Sequence, residues 1–286
     1  MTLVTVALPT RDGIGRMESA VASVLAQDHP DLELLILDNA STDGTEEYCR
    51  DLADADPRVR YHRHPENLGI LGNFGSAPPL ARGELLRWIS DDDRLEPGSV
   101  SRGVAEFAKD DRLVLVTTGI SYTTDGVTAT AEYTGGSLGA VDAVTRFTAW
   151  LRLLNESHLL IDPLYGLIRR DVLLRLPRRN LLREDEVFAA RLALAGPWAH
   201  VPEVLGHRNW RSESTRQVAR RLGVPAWQAY CATTLECLEL LRRLPEAELP
   251  PAAALRARAA VAGLFLGRQR GAFARRLRRL GRTVRR

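Results

Sequence analysis

The sequence predicts an α/β fold: a mainly parallel sheet flanked by helices, followed by a helical C-terminal extension. Three observations predict it. Through the first half, short apolar runs bounded by polar turns alternate with segments of helical periodicity, the pattern of successive βαβ crossovers. From Val218 onward the strand signal stops and apolar positions recur at helical spacing. The length of 286 residues, with 45% hydrophobic and 26% charged residues, suits one large α/β domain and a smaller appendage. The expected division is residues 1–215 for the α/β domain and 216–286 for the helical region.

In chain order, strands are expected at residues 4–8, 32–37, 59–62, 85–89 and 113–118. Helices are expected between them at 17–27, 44–53, 69–81 and 98–109. Residues 121–160 are weakly patterned: 123–139, rich in Thr and Gly, reads as a loop or hairpin, and 140–154 as a helix. A strand at 164–168, a short helix from Asp171, a helix at 184–195 and a strand at 200–205 follow. The C-terminal helices break at Pro245 and at Pro250-Pro251. No internal repeat is visible.

Composition narrows the function classes. No apolar run is long enough to cross a bilayer, and the N-terminus lacks the basic and apolar regions of a signal peptide. Three cysteines, Cys49, Cys231 and Cys237, have no metal-ligand spacing and suit a reducing compartment, so a cytoplasmic protein is expected. Eleven arginines and no acid follow Glu248, so a basic tail joins an acidic body. Within residues 268–286, Phe273, Leu277, Leu280 and Val284 fall at helical spacing among the arginines. That basic amphipathic helix suits peripheral contact with the inner face of a membrane, an acidic acceptor, the protein body, or a second copy in a homodimer. Nucleic acid is not an expected partner, because no basic–aromatic platform exists elsewhere.

In an open parallel sheet, ligands bind beyond the carboxyl ends of the strands. Polar segments follow each of the first four: Pro9-Thr10-Arg11-Asp12-Gly13, Asp38 to Gly44, Arg63 to Gly69, and Ser90-Asp91-Asp92-Asp93. Asp43 and Glu46 have the spacing of a helix capping box. Three adjacent aspartates repel one another unless a cation or hydrogen bonds compensate. Mg²⁺ or Mn²⁺ does so with one or two carboxylates, filling its other positions with phosphate oxygens and water. The alternative is a solvated turn. Asp38 can accept a hydrogen bond from a base N–H, or start an Asx-turn. Glu184-Asp185-Glu186 open a helix, where the dipole favours acids. A carboxylate fixed there can serve as general base toward a hydroxyl.

The ordered set Leu8-Pro9-Thr10-Arg11, Leu37 to Thr45, Glu66-Asn67-Leu68-Gly69, Ile89 to Asp93 with Pro97-Gly98, and Glu184-Asp185 with Arg191-Leu192 closely resembles glycosyltransferase family 2 over roughly residues 3–215. The resemblance implies the GT-A fold and an inverting transferase using a nucleotide-diphosphate sugar, UDP foremost and dTDP next. It implies that Pro9, Thr10 and Arg11 border the nucleotide, Asp38 binds the base, and Asn67 and Gly69 line the nucleotide and diphosphate. It also implies Asp92 as main ligand of a Mn²⁺ or Mg²⁺ ion, Asp91 beside it, and Asp185 as catalytic base. Ser90 stands where many members have a third carboxylate; it suits a ribose or phosphate better than a metal. His207 follows the strand at 200–205, where some members place a metal- or phosphate-contacting histidine; a packing histidine is the alternative. His62 and His64 share a strand face without a third ligand, and the five tryptophans read mainly as packing residues.

The acceptor class stays open among glycan, lipid-linked and small-molecule hydroxyls, in cell-envelope assembly or natural-product tailoring. Two rival classes are weaker. A sugar nucleotidyltransferase would carry a Gly-rich basic phosphate loop, which residues 11–16 match poorly. A non-catalytic nucleotide- or carbohydrate-binding homologue would not require acids at Asp38, Asp92 and Asp185 together.

Overall fold

The computed structural model describes residues 2–157 and 160–283, with side chains as far as residue 271. Its strands are β1 (Val4–Thr10), β2 (Leu32–Asp38), β3 (Val59–Arg63), β4 (Leu85–Trp88), β5 (Arg94–Leu95), β6 (Leu115–Thr124), β7 (Val127–Thr130), β8 (Leu167–Arg169) and β9 (Trp198–Asn209). They form one sheet in the order β3-β2-β1-β4-β8-β6-β9-β5, with β7 paired to β6 as a hairpin. β1, β2, β3 and β4 pair in parallel, and β6 pairs in parallel with β9. β8 lies antiparallel between β4 and β6, so those six strands run the same way and end on one edge.

The helices are α1 (Glu18–Leu25), α2 (Thr45–Ala55), α3 (Gly69–Gly75), α4 (Ala77–Leu80), α5 (Ser99–Phe107), α6 (Ala143–Leu153), α7 (Arg170–Arg175), α8 (Glu184–Ala195), α9 (Thr215–Arg221), α10 (Gln228–Arg243) and α11 (Pro251–Thr283). They cover both faces of the sheet, which is why β1 and β2 are buried throughout rather than alternating with solvent. Successive side chains feed two separate cores. Val4, Val6, Leu8, Leu34 and Ile36 pack with residues of α1, α2 and α5. Ala7, Leu35, Leu37 and Trp88 pack with residues of α6, α8, α10 and α11. Glu33 interrupts the second face. Burial works to raise its carboxyl, but hydrogen bonds from Arg60 and Thr5 outweigh it and hold it below the usual range.

The α/β class and the helical extension are as expected. The expected helix at 69–81 is divided: α3 stops at Gly75, and α4 starts anew with Pro78-Pro79 in its first turn. Pro78 and Pro79 cannot donate to carbonyls one turn back, so one continuous ladder cannot form. The strand expected from Leu164 begins at Leu167, because Pro163–Tyr165 form a 3-10 turn. β5, two residues long, had no periodicity to announce it. The expected capping box of Asp43 is absent: Gly44, at φ +91°, is the N-cap, and Asp43 accepts instead from Thr45 N and Ile14 N. The stripe of Phe273, Leu277, Leu280 and Val284, and the membrane contact expected of it, lie outside the described side chains. Among the described residues, no helix is long and apolar enough to cross a membrane.

One irregularity directs the strand ends toward the site. The β6–β9 register shifts on both sides of Gly119, a bulge that re-aims the second half of β9. A Cβ at Gly119 would sit 2.8 Å from the carbonyl oxygens of Pro202 and Glu203. Gly119→Ala is therefore expected to destabilise the protein by roughly 1–3 kcal/mol in chemical denaturation. An unchanged midpoint would show that the bulge tolerates a side chain.

Candidate active site

The loops after β1, β2 and β3 are tied together before any ligand arrives. Asp12 accepts from Thr42 N at 2.8 Å, and Gly13 N donates to Thr45 Oγ1 at 2.9 Å. Asn39 Nδ2 donates to Asn67 Oδ1 at 2.7 Å, and Asn39 Oδ1 accepts from Leu68 N at 2.8 Å. Asn67 Oδ1 also accepts from Gly69 N, which fixes the left-handed turn of Gly69 (φ +73°) at the start of α3. Thr10 lies buried at the end of β1 with Pro9 before it, while the Arg11 side chain is exposed beside Asp12.

Asp38 ends β2, as expected. It is fully buried: Oδ1 accepts from the N–H and hydroxyl of Ser41, and Oδ2 from Tyr61 Oη at 2.7 Å. With no oxygen at the surface, it forms the Asx-type turn and shapes the loop floor rather than presenting an acceptor to solvent.

The acidic run is three carboxylates in three environments. Asp91 accepts from Thr10 Oγ1 at 2.6 Å and from Arg16 Nη2 and Nε at 2.7 and 3.0 Å. Asp92 is half-buried and has a single distant cation, Arg211 at 3.7 Å. Burial first, and then Asp91, raise its carboxyl above the usual range. Asp93 is buried; desolvation pushes it up to about 6 although Arg208 Nε, at 3.2 Å, and Asn209 N, at 3.0 Å, bond it. Arg208 also pairs with Asp162 and stacks on Tyr165, 3.7 Å from the ring centroid. Tyr165 Oη lies 3.3 Å from Ser90 Oγ. Arg208, Asp162, Tyr165 and Arg16 were missed by sequence reasoning. Arg208 is the last residue but one of β9, on the ligand edge, and was open to the strand-end rule; Asp162 lies just past the weakly patterned segment and gave no signal.

His207 does not join the acidic run. Its Nε2 lies 2.6 Å from Glu96 and its Nδ1 2.6 Å from Ser121 Oγ, because β9 pairs there with β5. Both ring nitrogens are engaged, so the metal-ligand expectation for His207 is corrected to a bridging role between β5, β6 and β9. Among the described residues, no group of three or more His, Cys, Asp or Glu side chains could hold a metal ion by itself. The residues do fit an ion that takes few protein ligands: Asp92 is an incompletely neutralised carboxylate beside a second one.

Asp185 opens α8. It lies in the first turn of the helix, with its side chain open to solvent. Desolvation raises its carboxyl; Arg178 opposes this and Asp162 adds to it. Its neighbours are committed elsewhere: Glu184 to Arg178, and Glu186 to Arg268. Arg178 also lines a mainly apolar cleft of about 550 Å³ with Leu68, Gly69, Trp88, Leu173 and Phe188.

A family model described as Glycosyl transferase family 2 matches residues 5–174. The chondroitin synthase of Pasteurella multocida (strain Pm70) is 35% identical over 116 residues, 41% of this chain and 12% of that protein, so the chain spans a small part of that relative. Among solved structures, S. aureus TarS 1–349 in complex with UDP-GlcNAc superposes with a TM-score of 0.66 at 14% identity, covering 92% of this chain and 72% of that one. The mannosyltransferase PcManGT from Pyrobaculum calidifontis, in complex with GDP-Man and Mn²⁺, gives 0.56 at 18% identity, covering 96% and 80%. At these identities the structural matches show the fold, which is GT-A.

Among the described residues, Arg208 is the cation paired with both buried Asp93 and half-buried Asp162, so Arg208→Leu is expected to cost about 3–5 kcal/mol near neutral pH. Asp93 has a folded pKa raised above its unfolded value, so its ionisation on burial costs stability as pH rises through about 6. The deficit should therefore shrink between about pH 7.5 and about pH 5 in urea denaturation. An equal deficit at both would show that lost stacking on Tyr165, not charge, is responsible.

Proposed function

The chain belongs to glycosyl transferase family 2, and from that premise we propose that it moves a sugar from a nucleotide-diphosphate sugar to an acceptor hydroxyl with inversion. The observation that supports this most is the arrangement at the sheet's carboxyl edge. Asp185, in the first turn of α8, is near enough to Asp162 to feel its charge, and Asp162 is joined through Arg208 to Asp93 of the acidic run.

In this reading the nucleotide lies across the tied loops, with Pro9, Thr10 and Arg11 on one side and Asn67 and Gly69 on the other. Asp38 holds the floor beneath the base by fixing Ser41 and Tyr61. Ser90 faces ribose or phosphate. Asp92, with Asp91 beside it, would hold Mn²⁺ or Mg²⁺, which when bound supplies Lewis-acid neutralisation of the leaving diphosphate. Asp91 would need to share its oxygens with Thr10 and Arg16, which leaves Asp92 the principal ligand. UDP is the preferred nucleotide and dTDP the next.

Asp185 takes the proton of the acceptor hydroxyl as its oxygen bonds to the anomeric carbon. The bond from that carbon to the diphosphate oxygen breaks on the opposite face, and the electron pair leaves with the nucleoside diphosphate. A raised carboxyl is a better proton acceptor than an ordinary one. The apolar cleft beside Arg178 suits an acceptor with a nonpolar part next to its hydroxyl. Glycan, lipid-linked and small-molecule acceptors all present such hydroxyls.

Asp185→Asn is expected to keep donor binding and lose transfer by roughly 10²–10⁴-fold; normal turnover would exclude Asp185 as the base. In thermal-shift measurements, UDP-sugars with Mn²⁺ should stabilise the protein by about 2.7 kcal/mol at a hundredfold excess over Kd. Asp92→Ala should abolish the Mn²⁺-dependent part of that shift. No nucleotide-dependent shift from UDP-, dTDP- or GDP-sugars would overturn the donor reading.

A further inference from the structure

α11 begins more than sixty residues after the base, yet it reaches back to the turn that holds Asp185. Arg268 is turned into the body, with its side chain only 11% exposed. Its Nη1 donates to Glu236 Oε2 on α10 at 2.7 Å, and its Nη2 donates to Glu186 Oε2 on α8. Arg183, held in the left-handed region (φ +65°) just before α8, places Nη1 3.4 Å from the same Glu236 oxygen. Glu236 is fully buried. Two facing carboxyls without cations cannot both ionise. Two guanidiniums, one local and one from the far end of the chain, compensate this pair.

We propose that Arg268 is a positioning residue for Asp185: by clamping Glu186 to Glu236 it fixes the first turn of α8 and places positive charge beside the base. The proposal rests on the reading of Asp185 as base. Burial, Glu236 and Asp185 raise Glu186 well above its ordinary range, and burial pushes Glu236 up to about 7. Asp185 therefore senses this pair, and the pair senses Asp185. The charged groups around the base are Glu184 and Glu186 from α8, Glu236 from α10, Arg178 and Arg183 from the preceding segment, Asp162 from the 3-10 turn, and Arg268 from α11. Arg178 is already bound to Glu184, so Arg268 and Arg183 are the cations that answer Glu186 and Glu236.

The sign follows from charge. Without Arg268 the cluster loses one positive charge, so Asp185 holds its proton to higher pH. A structural stitch alone would lower stability without moving that titration.

The test is a carboxyl titration of the full chain labelled with ¹³Cγ-aspartate, the Asp185 signal being the one lost in Asp185→Asn. Arg268→Ala is expected to raise the Asp185 midpoint by about one unit, and Arg268→Lys to leave it near that of the unaltered protein. Should Arg268→Ala not fold, the double variant Glu186→Gln with Glu236→Gln keeps the shapes and removes the opposing charge. It is expected to lower the midpoint by a similar amount. An Asp185 midpoint that does not move in the folded variants overturns the proposal. Retained transfer by Asp185→Asn, with the midpoint shifts present, overturns the base reading instead, so the two failures are told apart.

Discussion

The Arg208 guanidinium is the contact on which the site depends. It stands at the end of β9, between Asp93 of the acidic run and Asp162 of the segment leading into β8, and it lies flat on Tyr165. Those partners come from two separate stretches of chain, the acidic run and residues 162–165. A planar, permanently charged group can satisfy two carboxylates and an aromatic face at once; a lysine could not. Because Arg208 takes Asp93, the run is divided: Asp93 is internal, Asp91 is held by Thr10 and Arg16, and Asp92 alone faces outward with little compensation. Selection of one carboxylate among three is thus made by neighbours, not by the run itself.

The same division of labour appears in the loops. Asp38, Asp43 and Asn39 spend their oxygens on backbone N–H and hydroxyl groups of adjacent loops. A loop edge built this way is rigid before a nucleotide reaches it, which lowers the ordering cost of binding. Thr10, Arg11, Asn67 and Gly69 are then the surface of a preformed cradle.

Much of this was legible in the sequence, and the reasons for what was not are local. The parallel half was readable because each strand is a short apolar run with a polar end, and ligand-edge logic picks out those ends. The acids at 184–186 were readable as a helix start, and the structure puts Asp185 in the first turn of α8. The second half of the sheet was harder. β8 is three residues long and antiparallel, β5 is two, and β9 bends at the Gly119 bulge, so periodicity cannot announce them. Asp43 and His207 show a different limit. Their residue types fit a capping box and a metal site, but a left-handed Gly44 and the pairing of β9 with β5 gave each another partner. The family match stops at residue 174, before both α8 and the C-terminal helices.

The reach of α11 back to α8 has a consequence for how the protein comes into being. Chains emerge from the ribosome N-terminus first, and domains generally fold as they emerge. The sheet, the donor loops and α8 are all made before residue 251. The turn beside Asp185 nevertheless lacks one of its two cations until Arg268 has been synthesised and docked. A chain cut before Arg268 would hold the sheet and its loops beside an α8 turn that lacks this clamp. Assembly of the turn that holds Asp185 is thereby coupled to the synthesis and docking of α11, a dependence written into contact order rather than into any separate regulator.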